Sequence, residues 1–244
     1  MSKKHFYDLH ICGNNLKNDL EMINESIRLG FTDLSLVYSP EQYNDFLNYK
    51  NDILSNFEDS DCSIYFSIKL YTKNPNDIQK YSQKFKNKTS LFTVVGGNDK
   101  INRLVCENRQ VDILSSPYNR YNCGINHVLA KLAYENNITI ELCLNDILSS
   151  FLSVRSKIIG SFKEIIQLYR KFNFPLIVSS KSSNIFDLRN PIDEIAIFKS
   201  IGLNDEEIED IFFNTPKELL KFSKEKKNIP VLGVKEIKLD EVDL

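Results

Sequence analysis

Ile113-Leu114-Ser115, then Ile125-Asn126-His127-Val128-Leu129-Ala130-Lys131-Leu132-Ala133, then Thr139-Ile140-Glu141-Leu142-Cys143-Leu144 read in succession as strand, helix and strand. The outer runs are short, apolar and β-branched, bounded by polar residues. Between them Val128, Leu129 and Leu132 repeat at helical spacing, which gives that helix one apolar face. A strand, a crossover helix and a second strand in this order make a parallel pair.

The same unit recurs on both sides. Strand-like runs fall at 6–11, 33–37, 63–71, 91–95, 113–115, 139–144 and 176–179. Helical patterns fall at 16–29, 41–57, 76–87, 99–108, 125–136 and 157–172, with two more at 191–201 and 205–223. Seven strand-helix units without a long break predict an α/β, TIM-like barrel, distorted from the eight-stranded form. An open doubly wound sheet is the alternative. The barrel is expected to be one domain over 1–223, with a C-terminal tail at 224–244. Local punctuation agrees: Gly30 stops the first helix, Ser39 with Pro40 starts the second, and Asn190 with Pro191 starts the one at 191.

The chain has 244 residues, 42% of them hydrophobic, enough for one sizeable core. Lys+Arg number 31 and Asp+Glu 33, a net charge of −2. The overall balance therefore suggests no nucleic-acid partner, and any such contact must come from local patches. No apolar run approaches the ~20 residues of a membrane span, and the start carries no signal-peptide pattern. Five scattered cysteines without a Cys-x-x-Cys pair read as reduced thiols in a cytoplasmic protein.

In a parallel barrel, functional groups sit where strands end and loops begin. That singles out Asp8, His10, Tyr38, Lys69, Gly96, Ser115, Glu141, Ser179 and Ser180. Asp8-Leu9-His10-Ile11-Cys12 resembles the Asp-x-His-x-His opening of the polymerase-and-histidinol-phosphatase (PHP) phosphoesterases, in which alternating residues on one strand face ligate metal. Here Cys12 takes the second histidine position. The chain holds only His5, His10 and His127, fewer than such a centre needs. Gly96-Gly97 could admit phosphate to the backbone, but a tight turn explains it more simply. Cys123 and His127 lack a third group to orient a nucleophile. From Ile147 to Arg189 the segment is basic, and from Asn190 to Thr215 it is acidic.

Several segments together resemble ribonuclease P protein component 3, the family homologous to the thirty-kilodalton subunit of the eukaryotic enzyme. They are Asp112-Ile113-Leu114-Ser115-Ser116-Pro117 with the helix from Gly124 to Ala133, and Asn136-Asn137-Ile138-Thr139-Ile140-Glu141. Further on come Pro175-Leu176-Ile177-Val178-Ser179-Ser180 leading to Asp187-Leu188-Arg189-Asn190-Pro191, then Gly202-Leu203 and Asn214-Thr215-Pro216. They keep their order from about residue 6 to 223. The resemblance implies a PHP-like barrel with an eroded metal site. It also implies a noncatalytic protein subunit supporting RNA-catalysed removal of the 5′ leader from precursor tRNA. The implied partners are ribonuclease P RNA, component 2 and, in the holoenzyme, precursor tRNA. The protein would bind no cofactor of its own, Mg²⁺ being required by the RNA. On this reading Arg120, Lys131, Arg155, Lys157, Lys181 and Arg189 are the expected RNA contacts, although Arg189 could equally cap or pair locally and Lys131 could be plain surface. The partner interface is expected on the acidic segment 205–213, with Ile211, Phe212 and Phe213 as anchors. The competing functions are an active PHP-type phosphoesterase with Asp8, His10 and Glu141 as ligands, and a small-metabolite barrel enzyme using Lys69.

Overall fold

The computed structural model describes residues 4–227. Seven strands lie parallel in chain order: β1 (Tyr7–Cys12), β2 (Asp33–Tyr38), β3 (Ser63–Leu70), β4 (Phe92–Val95), β5 (Ile113–Ser115), β6 (Thr139–Cys143) and β7 (Leu176–Ser179). Each neighbouring pair forms a ladder from β1 to β7. Between β7 and β1 there is no ladder, but the gap is bridged. Ile11 pairs with Ser182, the Cys12 N–H donates to the Ser182 carbonyl at 2.8 Å, and the Ser180 N–H donates to Asp8 Oδ1 at 3.1 Å. The sheet is thus a nearly closed barrel, and the open-sheet alternative falls.

The helices that follow the strands are α1 (Leu16–Leu29), α2 (Tyr43–Asn56), α3 (Pro75–Phe85), α4 (Asp99–Cys106), α5 (His127–Asn136), α6 (Leu144–Leu148), α7 (Leu152–Phe172) and α8 (Pro191–Ile201). Their apolar faces pack on the outside of the barrel, where most buried hydrophobic side chains gather. Gly30 ends α1 in the left-handed region at φ 105°, and the Asn190 side chain accepts from the Ile192 N–H to cap α8. Ser39 and Gln42 exchange a reciprocal pair of backbone-to-side-chain bonds at 3.0 and 3.3 Å. That is the capping expected at Ser39, but a turn intervenes and regular helix begins only at Tyr43.

The expected helix over 205–223 is three pieces: α9 (Asp205–Glu209), a π-helical turn (Asp210–Asn214) and α10 (Thr215–Lys227). The wide turn narrows the arc swept by three consecutive side chains. Ile211, Phe212 and Phe213 are all buried as a result, at 0, 6 and 7% exposure. Phe212 meets Phe198 edge-on and Phe213 meets Phe6. This corrects the expectation of exposed partner anchors: the three side chains belong to the core. α10 runs four residues past the expected end of the barrel at 223, and the rest of the tail lies outside the described residues. It crosses the N-terminal end of the barrel, where Leu219 and Leu220 join Leu9, Leu91, Ile113 and Ile177 in a small inner cluster.

Candidate functional site

The opposite end, where the strands finish, holds the polar groups. Its layout begins with an irregularity in β1. Asp8 pairs with Leu34 and Ile11 with Leu36, so Leu9 and His10 together face Ser35 alone. This bulge re-aims the strand. Asp8 turns to the seam with β7, accepting from the backbone N–H groups of Ser180 and His10 and lying beside Glu194 of α8. His10 turns across the barrel, and its Nδ1 lies 2.9 Å from Glu141 Oε2. The alternation expected of Asp8 and His10 on one ligating face is therefore broken.

Glu141 is fully buried and His10 almost so. Burial alone would push the Glu141 carboxyl up, but the His10 charge and hydrogen bond outweigh it and bring the carboxyl down to about 2. Burial penalises the His10 cation in the same way, yet Glu141 holds its pKa well above the ordinary imidazole range. The pair is a buried imidazolium–carboxylate. Cys143 Sγ lies 3.5 Å from the same Glu141 oxygen, and the donor atoms of His10, Glu141 and Cys143 sit within 4.8 Å of one another.

Two lysines complete the ring. Lys69 Nζ donates to Cys12 Sγ at 2.9 Å. Burial would raise the Cys12 thiol, but His10 and Lys69 bring it down to about 7. Lys181, whose backbone is left-handed at φ 54°, donates to Asp146 Oδ1 and Ser116 Oγ, both at 3.0 Å. Ser116 and Tyr118 hydroxyls also donate to Asp146 Oδ2 at 2.7 Å. Glu141, Cys12 and Asp146 thus each meet a cation of the same chain.

A hydrolytic metal centre needs several imidazole and carboxylate ligands and a position open to water. His10 Nε2 and Glu141 Oε1 are buried without partners, as are Asp8 Oδ2 and Glu194 Oε1 at the seam with β7, but among the described residues only His10, Glu141 and Cys143 bring three donor groups together. The remaining ligands are not there. His5 pairs with Asp33 at the other end of the barrel at 2.8 Å, and His127 opens α5 at the surface. Lys69 is committed to Cys12 and Lys181 to Asp146. The residues do not fit a multinuclear hydrolytic site, and Lys69 is no free amine for imine chemistry.

The other sequence candidates resolve into structure. Gly96 and Gly97 serve a tight turn around Asn102: Gly96 makes room for its side chain, and Gly97, left-handed at φ 88°, offers it an N–H. That fully buried side chain accepts from the Gly97 N–H at 3.2 Å and donates to the carbonyls of Pro117 (2.8 Å) and Gly124 (2.9 Å). A Cβ on Gly96 would lie 2.4 Å from Asn102 Oδ1, and one on Gly124 would lie 1.9 Å from the Pro117 carbonyl oxygen. Asn102 was not foreseen, because nothing in its local sequence marks a brace between two loops. Cys123 donates to the Ile125 carbonyl, and burial pushes its thiol up. The basic and acidic segments answer each other: Arg170 of α7 grips Glu207 of α9 with two nitrogens at 2.6 and 2.9 Å.

Arg120, Lys181 and Arg189 come to loops at the mouth end, after β5 and β7, and Arg155 to the first turn of α7, after β6. Three of them are partly committed inward. Arg155 donates to the carbonyls of Ile147, Leu148 and Ser150, and Arg189 to those of Phe186 and Leu188. Arg120 is exposed over the Tyr121 ring. Lys157 is exposed at the start of α7, and Lys131 stands apart on α5, paired with Glu135 at 3.6 Å. Exposed apolar residues absent from the sequence reading lie on the same rim: Phe151 and Leu152 are 82 and 89% exposed, and Phe186 is 81% exposed.

Fold and site together define a PHP-like α/β barrel whose mouth is filled by its own ion pairs. The family profile of "RNase P subunit p30" matches residues 5–228, and the chain belongs to that family. It is a protein subunit of ribonuclease P, an endoribonuclease. Ribonuclease P protein component 3 of Methanothermobacter thermautotrophicus is 39% identical over 219 residues, 89% of each chain. That of Methanosarcina mazei is 30% identical over 223 residues, 91% of each. Among solved structures, a chain of the cryo-EM structure of archaeal ribonuclease P with mature tRNA superposes with a TM-score of 0.81 at 23% identity. The match covers 97% of this chain and all of that one. Histidinol phosphate phosphatase from Lactococcus lactis, solved with zinc, L-histidinol and phosphate, shares the fold alone, with a TM-score of 0.54 at 9% identity, over 83% of this chain and 95% of that one.

Proposed function

We propose that this subunit assists the catalytic RNA and performs no phosphodiester chemistry itself, in a complex with ribonuclease P RNA, component 2 and precursor tRNA. The observation that carries this is the mouth of the barrel, where His10–Glu141, Lys69–Cys12 and Lys181–Asp146 satisfy one another. Such a site brings together no set of ligands for a hydrolytic metal centre. The protein holds no cofactor of its own; Mg²⁺ serves the RNA. Exposed cations neutralise phosphates and so lower the Mg²⁺ that the RNA needs to fold, without reading bases. Arg120 and Lys157 are the members of the expected contact set best placed for this, with Arg155, Lys181 and Arg189 beside them on the rim and Lys131 more remote. All five cysteines are free thiols and no helix among the described residues is long and apolar enough to cross a membrane, which supports a cytoplasmic location.

The test is an omission assay. Ribonuclease P RNA, component 2 and precursor tRNA are combined at limiting Mg²⁺ with and without this chain. Correct 5′ cleavage is expected to rise about tenfold or more, and to vanish without the RNA. Cleavage that persists without RNA, or no gain on adding the chain, overturns the reading.

A further inference from the structure

The end of the barrel away from the mouth carries cations that no carboxylate among the described residues pairs with. α10 lies across it, held by Leu219 and Leu220 inside the barrel and by the Ser223 hydroxyl, which donates to the Ser90 carbonyl. Anchored in this way, α10 turns Lys217, Lys221 and Lys224 to the outside; their spacing of four and three puts them on one helical face. They border a concavity of about 730 Å³ whose opposite wall includes Lys4, Tyr7 and Tyr65. The two carboxylates in that wall are taken: Asp33 by His5 at 2.8 Å, and Glu209 by Lys4 at 3.2 Å. Among the described residues, no carboxylate pairs with Lys217, Lys221 or Lys224. Half-buried tyrosine rings lie alongside, and Lys224 Nζ sits 5.4 Å from the centre of the Tyr65 ring.

We infer that this groove, between α10 and the N-terminal ends of β1 and β3, is a contact surface for RNA. The inference rests on the function proposed above and locates a part of it that the mouth residues do not supply. At the mouth, Arg155, Lys181 and Arg189 direct donors to their own backbone or to Asp146. In the groove, three ammonium groups have no carboxylate partner among the described residues, in a chain whose net charge is −2. Such lysines beside partly exposed ring faces suit phosphates and unstacked bases, the chemistry of single-stranded or looped RNA. An acidic protein would also be served by lysines and tyrosines, but the chain belongs to a ribonucleoprotein whose RNA is its largest polyanion, and the test keeps a protein occupant as a separate outcome.

The experiment reverses the three groove charges together (K217E, K221E, K224E) and compares a control with the same charge change on α3 and the turn after it (K80E, K84E, K88E). All six positions are exposed, so both variants should keep the wild-type melting curve. Binding of the chain, with component 2, to ribonuclease P RNA is measured across salt concentrations. The groove variant should bind about tenfold more weakly or worse, and its dependence of log K on log salt should flatten by roughly two to three units, about one for each phosphate no longer neutralised. The control should weaken far less. RNA carrying 4-thiouridine should crosslink to the peptide that holds Tyr65. Equal weakening in the two variants, or a groove variant that binds RNA normally, overturns the inference, even where the wild type still stimulates cleavage. So does a groove variant that binds RNA but no longer holds component 2, since the groove would then be a protein interface. A wild type that neither binds RNA nor stimulates cleavage overturns the proposed function as well.

Discussion

His10 and Glu141 are 131 residues apart in the chain and form the most enclosed ion pair among the described residues. Taking two charges out of water is costly, and removing one partner strands the other. Glu141→Gln should therefore destabilise the isolated chain by about 3–5 kcal/mol near pH 6, read by urea unfolding. The pH dependence follows from the two shifts. Glu141 is depressed from 4.5 to about 2, so its contribution is present above pH 4.5 and is lost as pH falls toward 2. His10 is raised, so its contribution is full below pH 6.5 and is lost as pH climbs through the raised value. The gap between wild type and Glu141→Gln should be widest between about 4.5 and 6.5 and should close in acid. A gap that stays constant down to pH 2 would mean that packing, not charge, holds the pair.

At the scale of elements, the π-helical turn decides where the chain's aromatic weight goes. Phe212 and Phe213 point into the core, between α8 and the segment before β1. Phe212→Ala should destabilise the isolated chain by about 3–5 kcal/mol, the effect of a large cavity. If Phe212 were a partner anchor, the isolated chain would unfold as wild type does and only assembly would suffer. α10 has a double role by the same logic: its leucines plug the barrel while its lysines face out.

At the scale of the molecule, the barrel shares its fold with a zinc-bound histidinol phosphate phosphatase, while its mouth is occupied by ion pairs of its own. A metal bound at one hundred times its dissociation constant would stabilise the fold by about 2.7 kcal/mol. For a chain of this size that is a rise in Tm of roughly 5–10 °C. Neither EDTA nor added Zn²⁺ or Mn²⁺ should move the thermal transition of the purified chain by that much. A rise of several degrees that Cys143→Ala abolishes would show that the spare donors of His10 and Glu141 do hold an ion.

The residues alone determined the order and kind of nearly every element. Strand and helix differ in the period of their apolar residues, and Gly30, Asn190 and Pro191 act on their own backbone, so these signals are local. Parallel pairing followed, because strands joined by crossover helices run the same way; closure into a barrel and not an open doubly wound sheet was decided by the contacts of β1 with Ser180 and Ser182. Only the tertiary structure decided the rest. Whether His10 meets Asp8 or Glu141 hangs on one extra residue in β1, and a bulge is a property of two strands rather than one. Asn102 acquires its role only where Gly97, Pro117 and Gly124 come together. The apolar run at 211–213 could have faced a partner or the core, and the wide turn that sent it inward depends on what packs against it. Contacts between distant parts of a chain are chosen by the whole packed arrangement, and no local pattern carries that information.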